Sequence, residues 1–446
     1  MSRIVLIPPD LSKEQVENTF NTILGELENF PGKEIVREIL DTHENNPETV
    51  VEKMFDRGVI TTSKDIITGR LTPKDIKKHY SAIIQTSGST GEPKIFPFTF
   101  YGDGILLYEH GREILLNEVF ERGGTFHSMF PGLPSSSGEI FRNVVEKLYL
   151  IDGVSYSIAQ IPPMLLTPEG FPILVNRLKR LRPQYIAGLT THVVQLLTNL
   201  PGEVNENVRA VIVGGEQLPR ALAEKLFDTI PNLEAIFDVY GSSEFGVPAY
   251  AVITRNNLQP RFKLRTGIIL AQVKEETRDK KVARRYVTKI EPKNYPPLRS
   301  SPLGLYLINY DIKDYAILDK ENRICSFFRQ EDQVSLAGAK LNLGEIAEIA
   351  HKFDGIEDFI LLYSPISASN QRPKAKIVLG YSKLSQGEDT LKKEFLKTLF
   401  EVNNPVNYEV NATKAAELTV ELKPINKLRE GLPSRQGKPQ RLYVVE

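Results

Sequence analysis

A single cysteine, Cys325, excludes an intrachain disulfide and any zinc site assembled from several thiolates. A lone cysteine is most often a small buried hydrophobe, so a nucleophilic role is not expected of it. The six histidines are scattered without metal-ligand spacing, which argues against a metal hydrolase. Excess charge of either sign is also missing, because Lys plus Arg and Asp plus Glu both number 56. No global field gathers nucleic acid or an anionic membrane surface. The basic run at 280–285, which ends in Arg284 and Arg285, reads as solvated surface. Long apolar runs are missing too: nothing approaches the roughly 18 residues that span a bilayer, and the run at 4–7 is too short for a signal peptide. The expectation is a cytoplasmic protein without nucleic-acid or membrane partners.

What is present is ordinary globular material. Apolar residues make up 41% and charged residues 25% of 446 residues, a length at which two or more domains are expected. The first 75 residues read as helical and charged, with Val16, Phe20, Ile23, Leu24 and Leu27 at helical spacing. From Ser81 onward short apolar runs at 82–84, 184–187, 210–213 and 235–239 alternate with helical patterns. Leu106, Leu107, His110, Ile114 and Leu115 form one helix face, and further helices follow Thr191 and Pro219. That alternation predicts an α/β sandwich with a largely parallel sheet. Beyond about residue 325 the texture changes. Strands at 359–363, 375–381 and 418–422 and an amphipathic helix through Leu391, Phe395, Leu396 and Leu399 suit a small second α/β domain. The charged stretch Arg329-Gln330-Glu331-Asp332 is the expected boundary.

Two segments carry chemistry. Thr86-Ser87-Gly88-Ser89-Thr90-Gly91-Glu92-Pro93-Lys94 directly follows a strand. Its glycines let the backbone turn N–H groups toward an anion, four hydroxyls add donors, and Lys94 adds a cation for a phosphate. The spacing differs from GxxxxGK[ST], since Pro93 precedes the lysine and no Ser or Thr follows it. A purely structural Gly/Ser turn is the bland alternative. The second segment, Asp238-Val239-Tyr240-Gly241-Ser242-Ser243-Glu244, ends a buried strand, where open α/β sheets bind ligands. Tyr240 offers a face for a purine and Glu244 a hard oxygen for magnesium. Gly214-Gly215-Glu216 also follows a strand and can bring backbone against a nucleotide base.

Taken together, these segments resemble the adenylate-forming superfamily of acyl-CoA synthetases, adenylation domains and luciferases, over residues 81–441. Tyr240-Gly241-Ser242-Ser243-Glu244 is similar to the family's Tyr-Gly-x-Thr-Glu, with Ser243 in place of Thr. Tyr310-Asp311-Ile312-Lys313-Asp314 matches the stretch whose last Asp binds ribose, with Lys313 where relatives carry Gly. Arg329 to Asp332, followed by Gly338 and Glu345, looks like the interdomain hinge. Gly437-Lys438-Pro439-Gln440-Arg441 looks like the loop with the catalytic lysine. Length and the texture of 184–197 look similar to the phenylacetate-CoA ligase branch. Departures from it are the absence of Trp and the segment Phe130-Pro131-Gly132-Leu133-Pro134-Ser135, where many relatives have an aromatic or His after a Pro.

The resemblance implies a large N-terminal α/β sandwich domain at 1–328, a hinge at 329–333 with Glu331 at its pivot, and a small mobile α/β domain at 334–446. It implies ATP with magnesium as cofactors. A small-molecule carboxylic acid, aryl or otherwise hydrophobic, would become an acyl-AMP with release of pyrophosphate. Coenzyme A would then take the acyl group. Alternatives are an amine or an acyl carrier protein thiol as acceptor, or AMP transfer to a hydroxyl. Thr86 to Gly91 and Lys94 would hold the leaving phosphates, Gly215 and Glu216 the base beside Tyr240, Gly241 and Ser243, and Asp314 with Arg329 the ribose. Glu244 would hold magnesium and Lys438 would bridge the reacting carboxylate and α-phosphate. Phe130, Ser135, Gly188 and Gly214 would line the acyl pocket. A homodimer is common in the nearest branch.

Overall fold

The computed structural model describes the chain except residues 1–2, 9–10, 43–45, 79, 86–93, 131–135, 162–164, 166–169, 216–217, 260, 266, 277–280, 291, 293–302, 320, 322, 330–332, 337–338, 365–372, 413–415, 433–440 and 445–446. It is a mixed α/β protein of two compact units. One comprises 1–218 with 226–327, and the other 219–225 with 328–446.

The larger unit is organised on a seven-stranded sheet. Its order is Lys263–Leu264, Gly246–Ile253, Ala235–Ser242, Ala210–Gly214, Tyr185–Leu189, Thr125–Ser128 and Ser157–Gln160. The last five run parallel, and Gly246–Ile253 returns antiparallel along Ala235–Ser242. Every residue of Tyr185–Leu189 and of Ala210–Gly214 is buried, as expected where helices cover both faces of a parallel sheet. On one face Phe126 and Tyr185 pack with Phe120, Phe141 and Tyr156, with ring centroids 4.9–6.4 Å apart. The offset and edge-on arrangements suit aromatic quadrupoles.

A second sheet of this unit has the order Arg3–Leu6, Ile268–Glu276, Lys281–Lys289, Tyr310–Leu318 and Ile324–Arg329. The first three pairings are antiparallel, which corrects the expectation of a largely parallel architecture for this stretch. The expectation that the first 75 residues are helical needs the same correction, because Arg3–Leu6 is an edge strand. The helix Lys13–Glu26 follows, opened by a capping box in which Ser12 and Gln15 satisfy each other's backbone N–H groups. Asp103, at the start of the helix Asp103–Leu115, accepts from the backbone of Thr99 and Gly304 and pairs with Lys289 of the second sheet. One buried carboxylate thus ties a helix start to two separate strands.

The smaller unit has a four-stranded sheet in the order Glu417–Pro424, Lys374–Tyr381, Ile356–Ser364 and Leu442–Val444. Helices Leu343–Ala350 and Glu388–Val402 cover it, and Phe359, Ile377, Leu391, Phe395 and Leu399 form an independent core. At its C-terminal end, Asp358 holds both Arg429 and Arg441, the latter 3.0 Å from the carboxylate and 5.0 Å from the Phe359 ring centroid.

Candidate functional site

Two short strands flank the serine- and threonine-rich segment in sequence. Tyr80–Gln85 and Ile95–Thr99 pair antiparallel, with Gln85 opposite Ile95. Thr86, Ser87, Gly88, Ser89, Thr90 and Gly91 lie outside the described residues. Lys94, directly before Ile95–Thr99, is described. Its ammonium is buried against the Glu244 carboxylate and donates to the Tyr310 hydroxyl at 3.3 Å. Glu244 takes a second bond from the Ser242 hydroxyl at 2.7 Å, and Tyr310 lies 3.2 Å from the Ser63 hydroxyl. Only 14% of the Lys94 side chain and 8% of the Glu244 side chain meet solvent, so the pair is desolvated.

Electrostatics follow from that burial. Burial alone would push Glu244 up, yet the charge of Lys94 and its hydrogen bonds with Lys94 and Ser242 hold it below the usual carboxylate range. Burial would likewise lower Lys94, but Glu244 and Tyr310 raise it above its ordinary value. Burial and the neighbouring Glu244 charge push the Tyr310 hydroxyl up. The site therefore holds a fixed ammonium, a fixed carboxylate and a neutral phenol at neutral pH.

Beside it lies an aromatic and acidic pair. Ala235–Ser242 continues as strand through Tyr240 and Gly241, where a side chain on Gly241 would meet the Gly246 carbonyl oxygen at 2.3 Å. The hairpin demands glycine there. Tyr240 donates its hydroxyl to Asp314 at 2.7 Å and stacks on Phe327, with centroids 3.6 Å apart and planes within 3°. Ser243 is half-buried next to Glu244. Gly215, in the left-handed region with φ 80°, follows Ala210–Gly214, and a side chain on Gly214 would meet Val239 at 2.6 Å. Gly214 thus keeps its backbone close to the neighbouring strand Ala235–Ser242.

The remaining expected residues divide cleanly. Phe130 is buried against Phe141, and Gly188 packs where a side chain would touch Met129 and Val193. Arg329 ends the strand Ile324–Arg329. Ser135, Glu216, Glu331 and Lys438 lie outside the described residues. Cys325 is half-buried with its thiol pushed up, chiefly by burial, which disfavours the thiolate.

Sequence reasoning did not single out Tyr310, Ser63 or Ser242 in roles at the site, nor Phe327, Asp238, His127 or Arg285. Asp238 is buried, takes a backbone bond from Leu218, and is pushed up by burial to about 7. His127 is fully buried at the end of Thr125–Ser128, and burial with the nearby Arg177 charge lowers it to about 4. The basic run at 280–285 needs a correction, because Arg285 has no exposed surface and the half-buried Arg284 pairs with Asp311.

Among the described residues no three His, Cys, Asp or Glu side chains gather around a point. A single buried carboxylate beside a lysine suits a magnesium ion that arrives with phosphate oxygens and water as its other ligands. It does not suit a metal held by protein alone.

No family model and no curated protein matches the sequence. Solved structures do match in fold. A 2-hydroxyisobutyryl-CoA ligase in the postadenylation state with 2-HIB-AMP aligns over 97% of this chain and 88% of its own, at 11% identity and a TM-score of 0.66. An anthranilate-CoA ligase in complex with anthranoyl-AMP aligns over 81% of this chain and 66% of its own, at 15% identity and a TM-score of 0.54. An amide bond synthetase from Marinactinospora thermotolerans aligns over 78% and 65%, at 12% identity and a TM-score of 0.51. The chain has the fold of adenylate-forming ligases, with a large N-terminal and a smaller C-terminal α/β part.

Proposed function

We propose that this chain activates a carboxylic acid with ATP as an acyl-adenylate and then passes the acyl group to a thiol, with coenzyme A as the acceptor. The observation that carries this reading is the convergence of Lys94, Glu244 and Tyr310, with Lys94 ending the hydroxyl-rich segment in sequence. Tyr240 and Asp314 are joined on the neighbouring strands. Phosphate, divalent-cation, base and ribose chemistry are then all available in one region of an adenylate-forming fold.

In the first half-reaction a carboxylate oxygen attacks the α-phosphorus, the bond from that phosphorus to the β-bridging oxygen breaks, and pyrophosphate leaves. Two anions must meet, so neutralisation and alignment carry most of the catalysis. Lys94 and the 86–91 loop hold the departing phosphates. Tyr240 carries the base, with Gly215 and Glu216 along its edge, while Asp314 and Arg329 accept and donate at the ribose. Glu244 is the protein ligand for magnesium, which supplies neutralisation of phosphate charge when bound. Lys438 stabilises the charge that builds between carboxylate and phosphate. In the second half-reaction the thiol gives its proton to water, sulfur bonds to the acyl carbon, the bond from that carbon to the phosphate oxygen breaks, and AMP leaves with that oxygen. Residues 329–333, with Glu331, serve as the hinge that exchanges the two states.

The acid in this reading is aryl or otherwise hydrophobic, a choice that the apolar surroundings of Phe130 and Gly188 support. A panel of aryl and aliphatic acids, scored by pyrophosphate release, tests the first step. Coenzyme A, a carrier-protein thiol and an amine are separated by which one accelerates AMP release. Absence of pyrophosphate release with every acid, while ATP still binds, defeats the proposal.

A further inference from the structure

Arg285 occupies an unusual position in the second sheet. Along Lys281–Lys289 and Tyr310–Leu318 the pairing slips at this residue. Arg284 faces Tyr315 whereas Tyr286 faces Asp311, so Arg285 stands opposite a bulge that contains Asp314. Bulges of this kind re-aim a side chain and recur beside active sites. Here the guanidinium carbon lies 4.3 Å from the Phe327 ring centroid and 5.6 Å from that of Tyr240, the two rings that stack on each other.

Its environment is polar in charge but poor in acceptors. Arg285 is fully buried, and none of its three guanidinium nitrogens meets a hydrogen-bond acceptor among the described residues. No other described arginine has all three nitrogens in that state. Burial lowers its pKa, while Tyr240, through its charge and some hydrogen-bonding character, and Asp314 through space oppose that, and the ring faces offer cation–π contact. Neither replaces the hydrogen bonds that its five N–H donors lose on leaving water. A buried guanidinium so poorly supplied with acceptors is destabilising, and an apolar side chain of similar volume is generally better tolerated.

We propose that Arg285 is a nucleotide-binding residue, whose guanidinium donates to an acceptor atom on the nucleoside half of ATP and of the acyl-adenylate. The inference rests on the reading of this region as the ATP site and deepens it. A nucleoside presents ring nitrogens and ribose oxygens as acceptors. Tyr240 supplies a stacking face, Asp314 accepts from hydroxyls, and the missing complement is a donor, which Arg285 provides. Phe327 fixes the guanidinium from one side and Tyr240 from another. Bound nucleotide satisfies donors that the free protein leaves unsatisfied, so affinity and the stability of the free protein are set against each other at this residue.

That opposition gives the test. Arg285→Met fills a similar volume without charge. Isothermal calorimetry with ATP and magnesium should show binding weakened roughly 10- to 100-fold, the loss of a charge-assisted hydrogen bond. The melting temperature of the nucleotide-free variant should equal or exceed that of the wild type. In pyrophosphate exchange the KM for ATP should rise while kcat at saturating ATP changes much less. Arg285→Lys, which keeps a donor, should recover part of the affinity. Unchanged ATP affinity in Arg285→Met overturns the proposal and leaves the adenylation reading standing. A fall in melting temperature together with affinity makes Arg285 structural and also overturns it. A wild-type protein that binds no ATP defeats both readings at once.

Discussion

Lys94 and Glu244 stand 150 positions apart in the chain and form a buried ion pair, closed on one side by Tyr310 and on the other by Ser242. In the proposed reaction each of them changes partner, Lys94 turning to phosphate oxygens and Glu244 to magnesium. The pair is then a placeholder, in which each charge keeps its counter-charge until MgATP supplies a new one to both. A buried pair of this kind adds little net stability over an apolar pair, but breaking it strands one charge.

Glu244→Gln should therefore act on stability and activity together. It leaves the Lys94 ammonium buried without a counter-charge, a loss on the order of 3–5 kcal/mol in chemical denaturation. Pyrophosphate release should fall roughly 100-fold with a raised magnesium requirement. The double variant Lys94→Met with Glu244→Leu should regain most of the lost stability and none of the activity. An unchanged rate and magnesium requirement in Glu244→Gln removes the assigned role.

The parallel sheet was legible because its strands are short apolar runs bounded by turns, and Ala210–Gly214 and Tyr185–Leu189 are buried throughout. Lys94, Tyr240, Glu244 and Asp314 were legible as residue types in local patterns. What joins them was not, because an ion pair across 150 positions leaves no periodic trace. The second sheet escaped for a different reason. Its strands, Lys281–Lys289 above all, mix charged and apolar residues, and a basic run resembles surface until its neighbours are known. Arg285 faces inward at a bulge, and a bulge breaks the alternation by which an inward residue is recognised. Tyr310 escaped as the first residue of its strand, held from behind by Ser63 of a short N-terminal helix.

Asp238 should impose a pH slope on stability. Its carboxyl is pushed from 3.8 to about 7 by burial, against one backbone bond from Leu218. Below about pH 4 folded and unfolded chains both hold the proton. Between pH 4 and 7 only the folded chain does, so the unfolded state gains from ionisation and stability falls across that window, by about 4 kcal/mol at most. Asp238→Asn keeps the acceptor for Leu218 and cannot ionise. Denaturation midpoints between pH 4 and 8 should show a shallower fall for the variant, and identical slopes would place the proton elsewhere.

His127 should contribute a slope of opposite sign. Burial, together with Arg177, lowers it to about 4, so it is neutral in the folded protein at neutral pH. As pH falls from about 6.5 toward 4, the unfolded chain takes up a proton that the folded chain refuses, and stability is lost. His127→Phe should lessen that loss while changing stability little above pH 7. Equal acid sensitivity in the two proteins would assign the loss to other groups, of which His351, also lowered to about 4, is the first to substitute.

Lys438 gives the sharpest separation between half-reactions. The segment 433–440 is bounded by Arg429 and Arg441, and both of these hold the buried carboxylate of Asp358. Arg429 and Arg441 are thus anchored to one carboxylate on the smaller unit's sheet. In the adenylation state Lys438 acts only on charge that develops between carboxylate and α-phosphate. Loss of a preorganised donor of that kind costs about 2.7–4 kcal/mol, or roughly 10²–10³ in rate. Lys438→Ala should slow adenylate formation by that factor while ATP binding changes little, because Lys94, Tyr240 and Asp314 remain. Chemically prepared acyl-adenylate should still be converted by the variant at near wild-type rate when the thiol is supplied, since that step uses the other arrangement. Equal loss in both half-reactions would mean a folding defect. No loss in either would mean that Lys438 is a solvated lysine and that another group carries the first step.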